Sequence, residues 1–473
     1  IVLALIFGAI FLTIIGAFLS YVITQHTEQK HQYAKERAIS VAEAGLNYYK
    51  WFLAHNPDDT TNGTGLPGPY VGVYEDPEGG PIGEFSLEIA SSSSCGDVYA
   101  IDITSTGVTY DNPNVGRKVY ARYARPTVAE YAYIINSNVW AGADRTIIGP
   151  YHSNGGVRMD GTNNSTVTSG QETWSCNSTF GCSPTSVQDG VFGAGPNDEL
   201  WSFPSTPINF TGLTVDLAAM QSKAQTGGGR YIGPSGSGKS GYRVVFNAAG
   251  TISVYMVDST TSYYGYTTED GWQTERNVIA TQHLVGTYPI PTSCSVIFIE
   301  DKVWLEGTVK GKVTIAAADV DTAGVDRSMI LQGNILYADA DSGLLAIAED
   351  DVLIGLNVPN TMTLNGIFAA QNGRFGRNRY CETASSGDGC NSTYRLPSTG
   401  INLRQYTKRN TLTVNGTIVS NGREGTKWTY GGNYVSGFNI RNNSYDRDLV
   451  SDPPPMTPEV SDTYEFIEWR EEN

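Results

Sequence analysis

One segment of the sequence matches a motif that binds nucleotide phosphates. In GPSGSGKS, residues Gly233, Gly238, Lys239 and Ser240 occupy the fixed positions of the P-loop pattern G-x-x-x-x-G-K-S. That loop works when it follows a buried strand and opens a helix, because the N-terminal amides of the helix hold the phosphates. Here a run of three glycines precedes the motif, and GYRVVFNAAGTISVYMV follows it, which reads as two strands and a turn. We therefore interpret the segment as a polar hairpin loop and predict no cofactor.

Two clusters of aspartates raise the question of a calcium site. They are Asp319, Asp321 and Asp326 in DVDTAGVDR, and Asp339 and Asp341 in DADSG. Hard cations bind clustered carboxylates, but neither segment has a complete calcium-loop pattern, which favours solvated loops. The five histidines are scattered and no C-x-x-C spacing occurs, so zinc is not expected. No carboxylate pair or histidine group stands out as an acid and base, so we predict neither a metal site nor catalytic residues.

Six cysteines fit disulfides in a domain that lies outside the cytoplasm. Cys176 with Cys182 and Cys381 with Cys390 would close short loops, and Cys95 with Cys294 is then left by elimination. This pairing rests on proximity in the sequence alone. Free, inert cysteines are the alternative for a cytosolic chain.

Composition and charge exclude some classes of function. The chain has 473 residues and a net charge of −17, which excludes a basic surface for nucleic acid. Its 40% of apolar residues can form a core, and the 53 glycines and 28 tyrosines are typical of a loop-rich β protein. The first 50 residues carry a net charge of +1, so the acidity belongs to the remainder, at −18.

Residues 1–24 form an apolar run that could cross a membrane. The run, IVLALIFGAIFLTIIGAFLSYVIT, contains no ionisable side chain except Tyr21. As an α-helix it would be about 36 Å long, which exceeds the hydrocarbon thickness of a bilayer, about 30 Å. The sequence starts at Ile1 with no basic segment before this run, and we expect that a short leader has been removed ahead of it. A sequence that omits its first residues is the alternative.

The helical pattern continues beyond the apolar run. Small and apolar residues recur at steps of three and four, and no proline occurs before Pro57, so one helix from Ile1 to about Ala54 is predicted. Small side chains permit close approach of another helix or a sheet. In the second half they are Ala34, Ala38, Ala42 and Gly45, and in the first half Gly8, Ala9 and Gly16. A membrane anchor with a helical stalk is the alternative interpretation.

These features resemble a mature type IV pilin or pilin-like protein. The resemblance rests on the apolar N-terminus, the two half-helices and the segment VAEAGLNYY at Val41 to Tyr49. Pilins are held in the membrane by this helix, are cut by a prepilin peptidase, and polymerise with their helices in the filament centre. Ile1 and Leu5 would then belong to the assembly surface, although many pilins carry Glu where this chain has Leu5. The overall shape and the segment Val41 to Tyr49 also resemble large pilus-assembly proteins of ultra-small, host-attached bacteria.

The resemblance implies a structural rather than an enzymatic function. The chain would be a subunit of an extracellular type IV pilus-like filament, displaying an acidic β domain for surface attachment. Its partners would be copies of itself, the inner membrane before assembly, the pilus assembly machinery, and a host-cell or surface receptor. Two alternatives stay open: a minor tip pilin acting as an adhesin, and a surface-anchored β-helix enzyme that degrades polysaccharide.

The rest of the sequence predicts the α+β class with a mainly β globular region. Alternating runs at Glu84 to Ala90, Val98 to Thr104 and Lys118 to Tyr123 predict a small antiparallel sheet packed on the helix. Short apolar runs around an internal glycine then recur in VWLEGTVKGKVTI, LQGNILY, LNGIFAA and VNGTIVS. This recurrence favours a parallel β-helix with inserts, and a β-sandwich is the alternative.

We divide the chain accordingly into three parts. They are a pilin-like helix at 1–55, apolar over 1–24 and amphipathic over 25–55, a small sheet domain at 56–127, and a β-rich surface domain at 128–473. One further helix is predicted at Val215 to Lys223.

Overall fold

The computed structural model describes residues 2–56, 59–76, 79–210, 217–322 and 327–472. Contacts divide the chain into two compact units. The first contains residues 1–93, 98–125 and 464–473, and the second contains residues 94–97 and 126–463. The end of the chain therefore belongs with its beginning, whereas the sequence analysis left it in the surface domain.

The first unit is built on one long helix, α1, which spans Val2–His55. It runs through both halves of the predicted pattern without a break, because no proline interrupts it. At its C-terminal end the backbone N–H of Asn56 donates to the Phe52 carbonyl at 2.9 Å. The side chain of Asn56 donates to the same carbonyl at 3.2 Å, so the last turn has a hydrogen-bond partner.

An antiparallel sheet of five strands packs on the second half of α1. The three predicted strands are present and longer than expected, and the chain's last strand adds to the edge of the sheet beside β4. The spatial order is β1-β2-β3-β4-β31. The bounds are β1 Tyr70–Asp76, β2 Gly80–Ser94, β3 Asp97–Thr109, β4 Asn112–Ala124 and β31 Glu465–Glu472.

The second unit consists mainly of short strands that form in two successive runs along the chain. The first run contains β5 Tyr133–Ile135, β6 Val139–Ala141, β7 Arg145–Ile148, β8 Tyr151–Ser153, β9 Val157–Met159, β10 Thr162–Asn163, β11 Val167–Ser169, β12 Thr173–Cys176, β13 Ser186–Asp189, β14 Val191–Phe192 and β15 Trp201–Ser202. A helix, α2 Leu217–Thr226, follows it. The helix prediction is thus confirmed from residue 217, and Val215 lies outside the described residues.

The second run contains the longer strands. Its bounds are β16 Arg230–Ile232, β17 Tyr242–Asn247, β18 Thr251–Thr267, β19 Gly271–Pro289, β20 Val296–Ile299, β21 Val303–Val309, β22 Lys312–Ala317, β23 Met329–Tyr337, β24 Gly343–Ala348, β25 Val352–Ile354, β26 Thr361–Ala370, β27 Phe375–Gly376, β28 Lys408–Ser420, β29 Lys427–Tyr430 and β30 Asn433–Ser444. A short helix, α3 Asp448–Ser451, comes next. Single 3-10 turns occur at Val128–Glu130, Ser178–Phe180, Asp198–Leu200, Ser386–Asp388 and Leu403–Tyr406.

Parallel pairing stacks these strands into a β-helix, which confirms the predicted fold and excludes the sandwich. One stack runs β16-β20-β22-β24-β26-β28, and a second runs β17-β21-β23-β25-β27. The coils place apolar side chains in register inside the helix, as Leu305, Leu331 and Ile354 show. Each coil therefore buries its apolar face only against its neighbours.

The two runs meet in the middle of the β-helix. Strand β28 pairs with β5, and β30 pairs with β7, so the coils of the first run continue the stack begun by the second. The side chains follow the same order, since Asn154 donates to Asn136 and Asn136 donates to Asn421, both at 2.8 Å. Inside the junction the buried Arg145 guanidinium donates to Glu424 at 2.9 and 3.1 Å.

The glycines of the recurrent motif occupy two kinds of corner. Gly366 and Gly416 lie opposite each other in β26 and β28, with φ of 138° and 140°. A Cβ at Gly416 would lie 1.9 Å from the Gly366 carbonyl oxygen, so only glycine fits there. Gly307 instead pairs with Ile335, and Gly333 lies beside the Glu306 side chain. The four glycines therefore recur in similar sequence contexts but occupy two different positions in the coils of the β-helix.

Candidate assembly helix

The first half of α1 presents a fully exposed apolar surface. Its large apolar side chains are all exposed among the described residues, and Leu3, Leu5 and Leu12 are about 70% exposed (70%, 69% and 70%). An 18-residue window within the helix has a mean hydropathy of 2.8 and no buried residue. By length and composition the helix can cross a membrane. An apolar surface of this size in water would be strongly unfavourable, so the half-helix needs lipid or protein around it.

Both threonines of this half form hydrogen bonds within the helix. Thr13 Oγ1 donates to the Ile10 carbonyl at 2.7 Å, and Thr24 Oγ1 donates to the Ser20 carbonyl at 2.9 Å. In a medium without water an unpaired hydroxyl would cost free energy, so back-bonding to the helix suits an apolar environment. The half-helix can therefore be covered by lipid or by other helices without stranding these hydroxyl groups.

The small residues of the first half are open to a neighbour. A Cβ added at Gly8 or Gly16 would meet no atom within 4 Å, and Ala9 and Leu5 are exposed as well. The part of the chain that the structure describes therefore packs nothing against these two glycines. Ile1, which the sequence analysis included in the assembly surface, lies outside the described residues.

The small residues of the second half pack on the chain's own sheet. Ala34, Ala38, Ala42 and Gly45 are all buried. A Cβ on Gly107 in β3 would lie 2.3 Å from the Ala38 carbonyl oxygen, and one on Gly45 would lie 2.5 Å from Ser105 Oγ. Helix and sheet backbones are therefore in close contact. Ala38, Ala42 and Gly45 therefore pack on the chain's own sheet.

Larger side chains complete this contact and hold the helix firmly. Val41, Leu46 and Tyr49 form one buried cluster with Phe85, Leu87, Ile103, Val119 and Ala121 of the sheet. The Tyr49 hydroxyl donates to the Thr60 carbonyl at 2.9 Å, and burial raises its pKa well above the usual value. The anchored half of the helix thus has a core of its own.

A charged network crosses the sheet next to this core. Asp102 accepts hydrogen bonds from Arg122 Nε at 2.7 Å, from Ser92 Oγ at 2.6 Å and from Tyr120 at 2.5 Å. Desolvation would raise the pKa of Asp102, but these donors outweigh it and lower the pKa below its usual value. Burial, together with the hydrogen bond to Asp102, raises the pKa of Tyr120 to about 12. The network links β2, β3 and β4 and so fixes the surface on which α1 rests.

Three disulfides lie in the second unit, and they are the pairs that the sequence analysis favours. Cys176–Cys182 and Cys381–Cys390 close loops with sequence separations of 6 and 9 residues. Cys95–Cys294 joins residues 199 apart and lies in a buried cluster with α2 residues. Next to it, Lys223 Nζ donates to the Cys95 carbonyl at 2.7 Å. No free cysteine is found in the described ranges.

The nucleotide-like motif has a different environment from a P-loop. Residues 233–240 connect β16 to β17, and the turn between β17 and β18 forms as predicted, with Asn247 opposite Thr251. The Lys239 ammonium donates to Asp258, which also lies 2.8 Å from His283 Nδ1. The lysine therefore has a carboxylate partner in place of a phosphate.

The aspartate clusters are likewise engaged in local contacts. Asp319 accepts from Arg327 Nη2 at 2.9 Å, Asp321 accepts from Gln221 Nε2 at 2.9 Å, and Asp339 accepts from Ser342 Oγ at 2.5 Å. Asp326 lies outside the described residues. Across the described part of the chain, no group of three or more His, Cys, Asp and Glu side chains is placed to hold a metal.

These features define an architectural class: a helix with an exposed apolar half, whose other half carries an antiparallel sheet. The helix contains both half-helices on which the sequence resemblance to type IV pilins rests. No family model matches the sequence, and no curated protein matches it. Among solved structures the chain is similar to the competence-associated pilin ComZ from Thermus thermophilus, at 13% identity and a TM-score of 0.27. The match covers 93% of this chain and 97% of that chain.

Proposed function

We propose that this chain is a structural subunit of a type IV pilus-like extracellular filament. One observation carries the proposal: a single unbroken helix is fully exposed and apolar over its first half, yet packed on its own sheet over its second. Because the second half is packed on the sheet, it fixes the position from which the exposed half of the same helix extends. The exposed half then serves as the part of the subunit that is covered by lipid or by neighbouring subunits.

The same apolar surface serves the membrane-bound and the assembled state. Burial of apolar area is favourable by about 25 cal/mol per Å² whether lipid or protein provides the cover. Transfer from the membrane to a filament therefore costs little only when neighbouring helices replace the lipid contacts. Assembly is thus expected to depend on close packing among copies of this chain, with the membrane and an assembly machinery as partners beforehand.

Leu5 suggests that these helices find their register by packing rather than by an ion pair. Where many pilins carry a glutamate, the Leu5 side chain is 69% exposed and apolar. Gly8, Ala9 and Gly16 lie in the same exposed half and leave room for a second backbone. We therefore assign the choice of register to the shape of this small-residue surface.

The β-rich remainder is the displayed part of the subunit in this proposal. Its net charge of −18 favours solubility and makes neighbouring copies repel one another along a filament. The β-helix suits display, because each coil is fixed by its neighbours and its inserts project outwards. A role as a minor tip adhesin differs only in copy number, and surface attachment through this domain belongs to either role.

A charge in the exposed half tests the proposal directly. We expect Leu12→Asp to remove the chain from membranes and filaments, because a carboxylate at the centre of a membrane helix costs about 2.5–3.5 kcal/mol. The matched control is Ser40→Asp, which adds the same charge at an exposed position of the anchored half. Immunoblots of membrane and sheared surface fractions give the measurement. Normal filament incorporation of Leu12→Asp would contradict the proposal.

A second experiment separates assembly from membrane insertion. Gly8→Leu with Gly16→Leu keeps the helix apolar, so the chain should still enter membranes, but the added side chains should prevent close helix packing. We expect unchanged membrane levels and few filaments. Unchanged filaments would show that these sites do not contact a neighbour. Mass spectrometry of sheared filaments then distinguishes a major subunit, which dominates the sample, from a tip component present in trace amounts.

A further inference from the structure

An open groove of about 920 Å³ runs along the outside of the β-helix. Its floor is formed where three successive coils turn their corners, at residues 306–308, at 332–334 with Leu336, and at 357–359. The hairpin of β18 and β19 forms one wall through Ile279, Ala280 and Gln282, and Tyr406 closes one part. The volume lies within the range of about 300–1,000 Å³ that is usual for ligand sites. The groove is thus large enough for an extended small molecule.

The wall of the groove is held against the coils by a buried contact. Val257 and Ile279 of the hairpin pack on Trp304, Ile330 and Leu353 of β21, β23 and β25. The Trp304 indole N–H donates to the Asn277 carbonyl at 2.7 Å, which ties β19 to β21. The groove is therefore preformed, and a ligand would not have to order its walls on binding.

The floor carries amide side chains that are fixed in place but keep unused donors. Gln332 Nε2 donates to Asn357 Oδ1 at 3.1 Å, from one coil to the next. Asn334 Oδ1 accepts from the Thr363 backbone N–H at 2.9 Å. Within the described residues, the amino groups of Asn334 and Asn357 make no hydrogen bond. They lie on neighbouring coils, which are about 4.8 Å apart in a stack of parallel strands.

The charges at the groove cancel each other. Arg243 is the single cation of the lining, and its Nε donates to Glu306 Oε1 at 2.7 Å. Among the described residues that line the groove, Glu306 is the single carboxylate. An anionic ligand would therefore find no unpaired cation, and a cationic ligand would compete with an existing ion pair. The lining favours a neutral ligand that is rich in hydrogen-bonding groups.

From this geometry we infer that the groove binds a neutral oligosaccharide in an extended conformation. Hydroxyl groups along a sugar chain accept from amide N–H donors that repeat from coil to coil, and Tyr406 offers an aromatic ring at the edge. Acid–base cleavage of a glycosidic bond normally uses two carboxylates, and the described lining holds Glu306 alone, so the groove binds without cleaving. The inference concerns the β-helix only, and it holds whether or not the helix α1 builds a filament.

Isothermal titration of the full chain tests the inference. The chain is kept in a zwitterionic detergent without a sugar headgroup, and the probes are maltohexaose, cellohexaose, laminarihexaose and chitohexaose. Hexagalacturonate provides the anionic comparison. We expect at least one neutral probe to bind with a dissociation constant below 1 mM, on the order of a weak lectin site. Binding of none of the four, or tighter binding of hexagalacturonate, would overturn the inference.

Two variants locate the bound sugar. Ala280→Trp fills the groove from an exposed position of β19 and should weaken binding at least tenfold, whereas Val285→Trp, exposed on the same strand outside the lining, should leave it unchanged. Asn357→Ala should weaken binding by about two- to tenfold, as one neutral hydrogen bond would. Asn442→Ala, an exposed amide of β30, is its control. Equal binding by Ala280→Trp and the wild type would place the sugar elsewhere and refute the assignment.

Cleavage and filament assembly are measured on the same samples. Chromatography of the probes after incubation should show no shortened products, and their appearance would refute binding without cleavage. Ala280→Trp should leave surface filaments at wild-type levels. A loss of sugar binding with intact filaments therefore concerns this groove alone, whereas a loss of filaments in Leu12→Asp concerns the proposed function alone.

Discussion

The two halves of α1 belong to the same continuous helix, but the first half is exposed and the second half packs on a sheet. Over its first half the helix exposes large apolar side chains such as Leu3 and Leu12, whereas over its second half Leu46 and Tyr49 are completely or almost completely buried. Small residues show the same contrast, because a Cβ at Gly8 would meet no atom within 4 Å, whereas one at Gly45 would lie 2.5 Å from Ser105 Oγ and 2.9 Å from the Phe85 ring. The second half of α1 packs on the sheet of the same chain, whereas the first half is exposed throughout the described residues.

The comparison teaches that apolar content alone does not tell where a helix is covered. The second half is less apolar than the first, yet it is the half that packs, because Ala38 and Ala42 lie directly against Gly107 of the sheet. The first half offers side chains of mixed size on all sides, as expected for a surface that meets lipid or several helices in turn. The following variants test this division, beginning with the largest expected effect.

Leu46→Ala should destabilise the first unit, whereas Leu12→Ala should not. Removal of a buried leucine side chain leaves a cavity and typically lowers the free energy of unfolding by about 2–5 kcal/mol. Leu12 is 70% exposed, so its truncation removes no contact inside the chain. Urea unfolding in detergent micelles, followed by tryptophan fluorescence, gives both values. Equal destabilisation by the two variants would erase the contrast between the halves.

Gly107→Ala should weaken the packing of α1 on its sheet and so lower the stability of the first unit. Its Cβ would lie 2.3 Å from the Ala38 carbonyl oxygen and 2.4 Å from the Ala42 nitrogen, so backbones must separate, at a cost of about 1–3 kcal/mol. Gly116→Ala in the neighbouring strand is the control, because the nearest atom to its Cβ would be 3.5 Å away. Thermal unfolding followed by circular dichroism checks the pair. A smaller loss for Gly107→Ala than for Gly116→Ala would argue against close helix packing here.

Acid should weaken the anchored half through Asp102. Because its folded-state pKa is lowered, the ionised Asp102 stabilises the fold above the unfolded pKa of about 3.9, and this contribution is lost as the pH falls through the folded-state value. Asp102→Asn should therefore be less stable than the wild type at pH 7, with a difference that shrinks towards pH 3. Unfolding midpoints across this range supply the test, with the exposed Glu88→Gln as control. A pH-independent difference would mean that the carboxylate charge is unimportant.

Arg37→Ala should have the smallest effect. Arg37 Nη1 lies 2.9 Å from Asp111 Oδ2, but the Asp111 side chain is 81% exposed, and such surface pairs contribute about 0–1 kcal/mol. We expect a small shift of the unfolding midpoint that disappears at high salt. A shift as large as that of Leu46→Ala would move the boundary of the anchored half towards the N-terminus.

Local patterns in the sequence predict the elements of this fold well. The unbroken helix follows from apolar residues at steps of three and four, and the strands of the sheet follow from alternation. The β-helix follows from the glycine cadence, although Gly307 and Gly366 occupy different corners of the coil. These features depend on a few neighbouring residues, and so they can be read from the sequence.

Long-range pairings are not visible in the same way. Strand β31 joins β4 at the end of the chain, and its sequence, EFIEWREE, gives no sign of which strand it will meet. The groove on the β-helix combines Arg243, Ala280, Asn334 and Tyr406, which no motif connects, so sequence analysis missed it entirely. For the assembly surface, the sequence singles out both sets of small residues, and the structure distinguishes the exposed set from the buried one.

The junction between the two runs of the β-helix has a consequence for biosynthesis. The hydrogen bond between Asn136 and Asn421 cannot form until the ribosome has added Asn421, which follows 285 residues later. At a synthesis rate of about 5–20 residues per second, that delay is roughly 15–60 s. Throughout it, the early coils would present the open strand edge of β5, which is a template for wrong pairing between nascent chains. A cell making many copies at once would have to protect this edge until the late coils arrive.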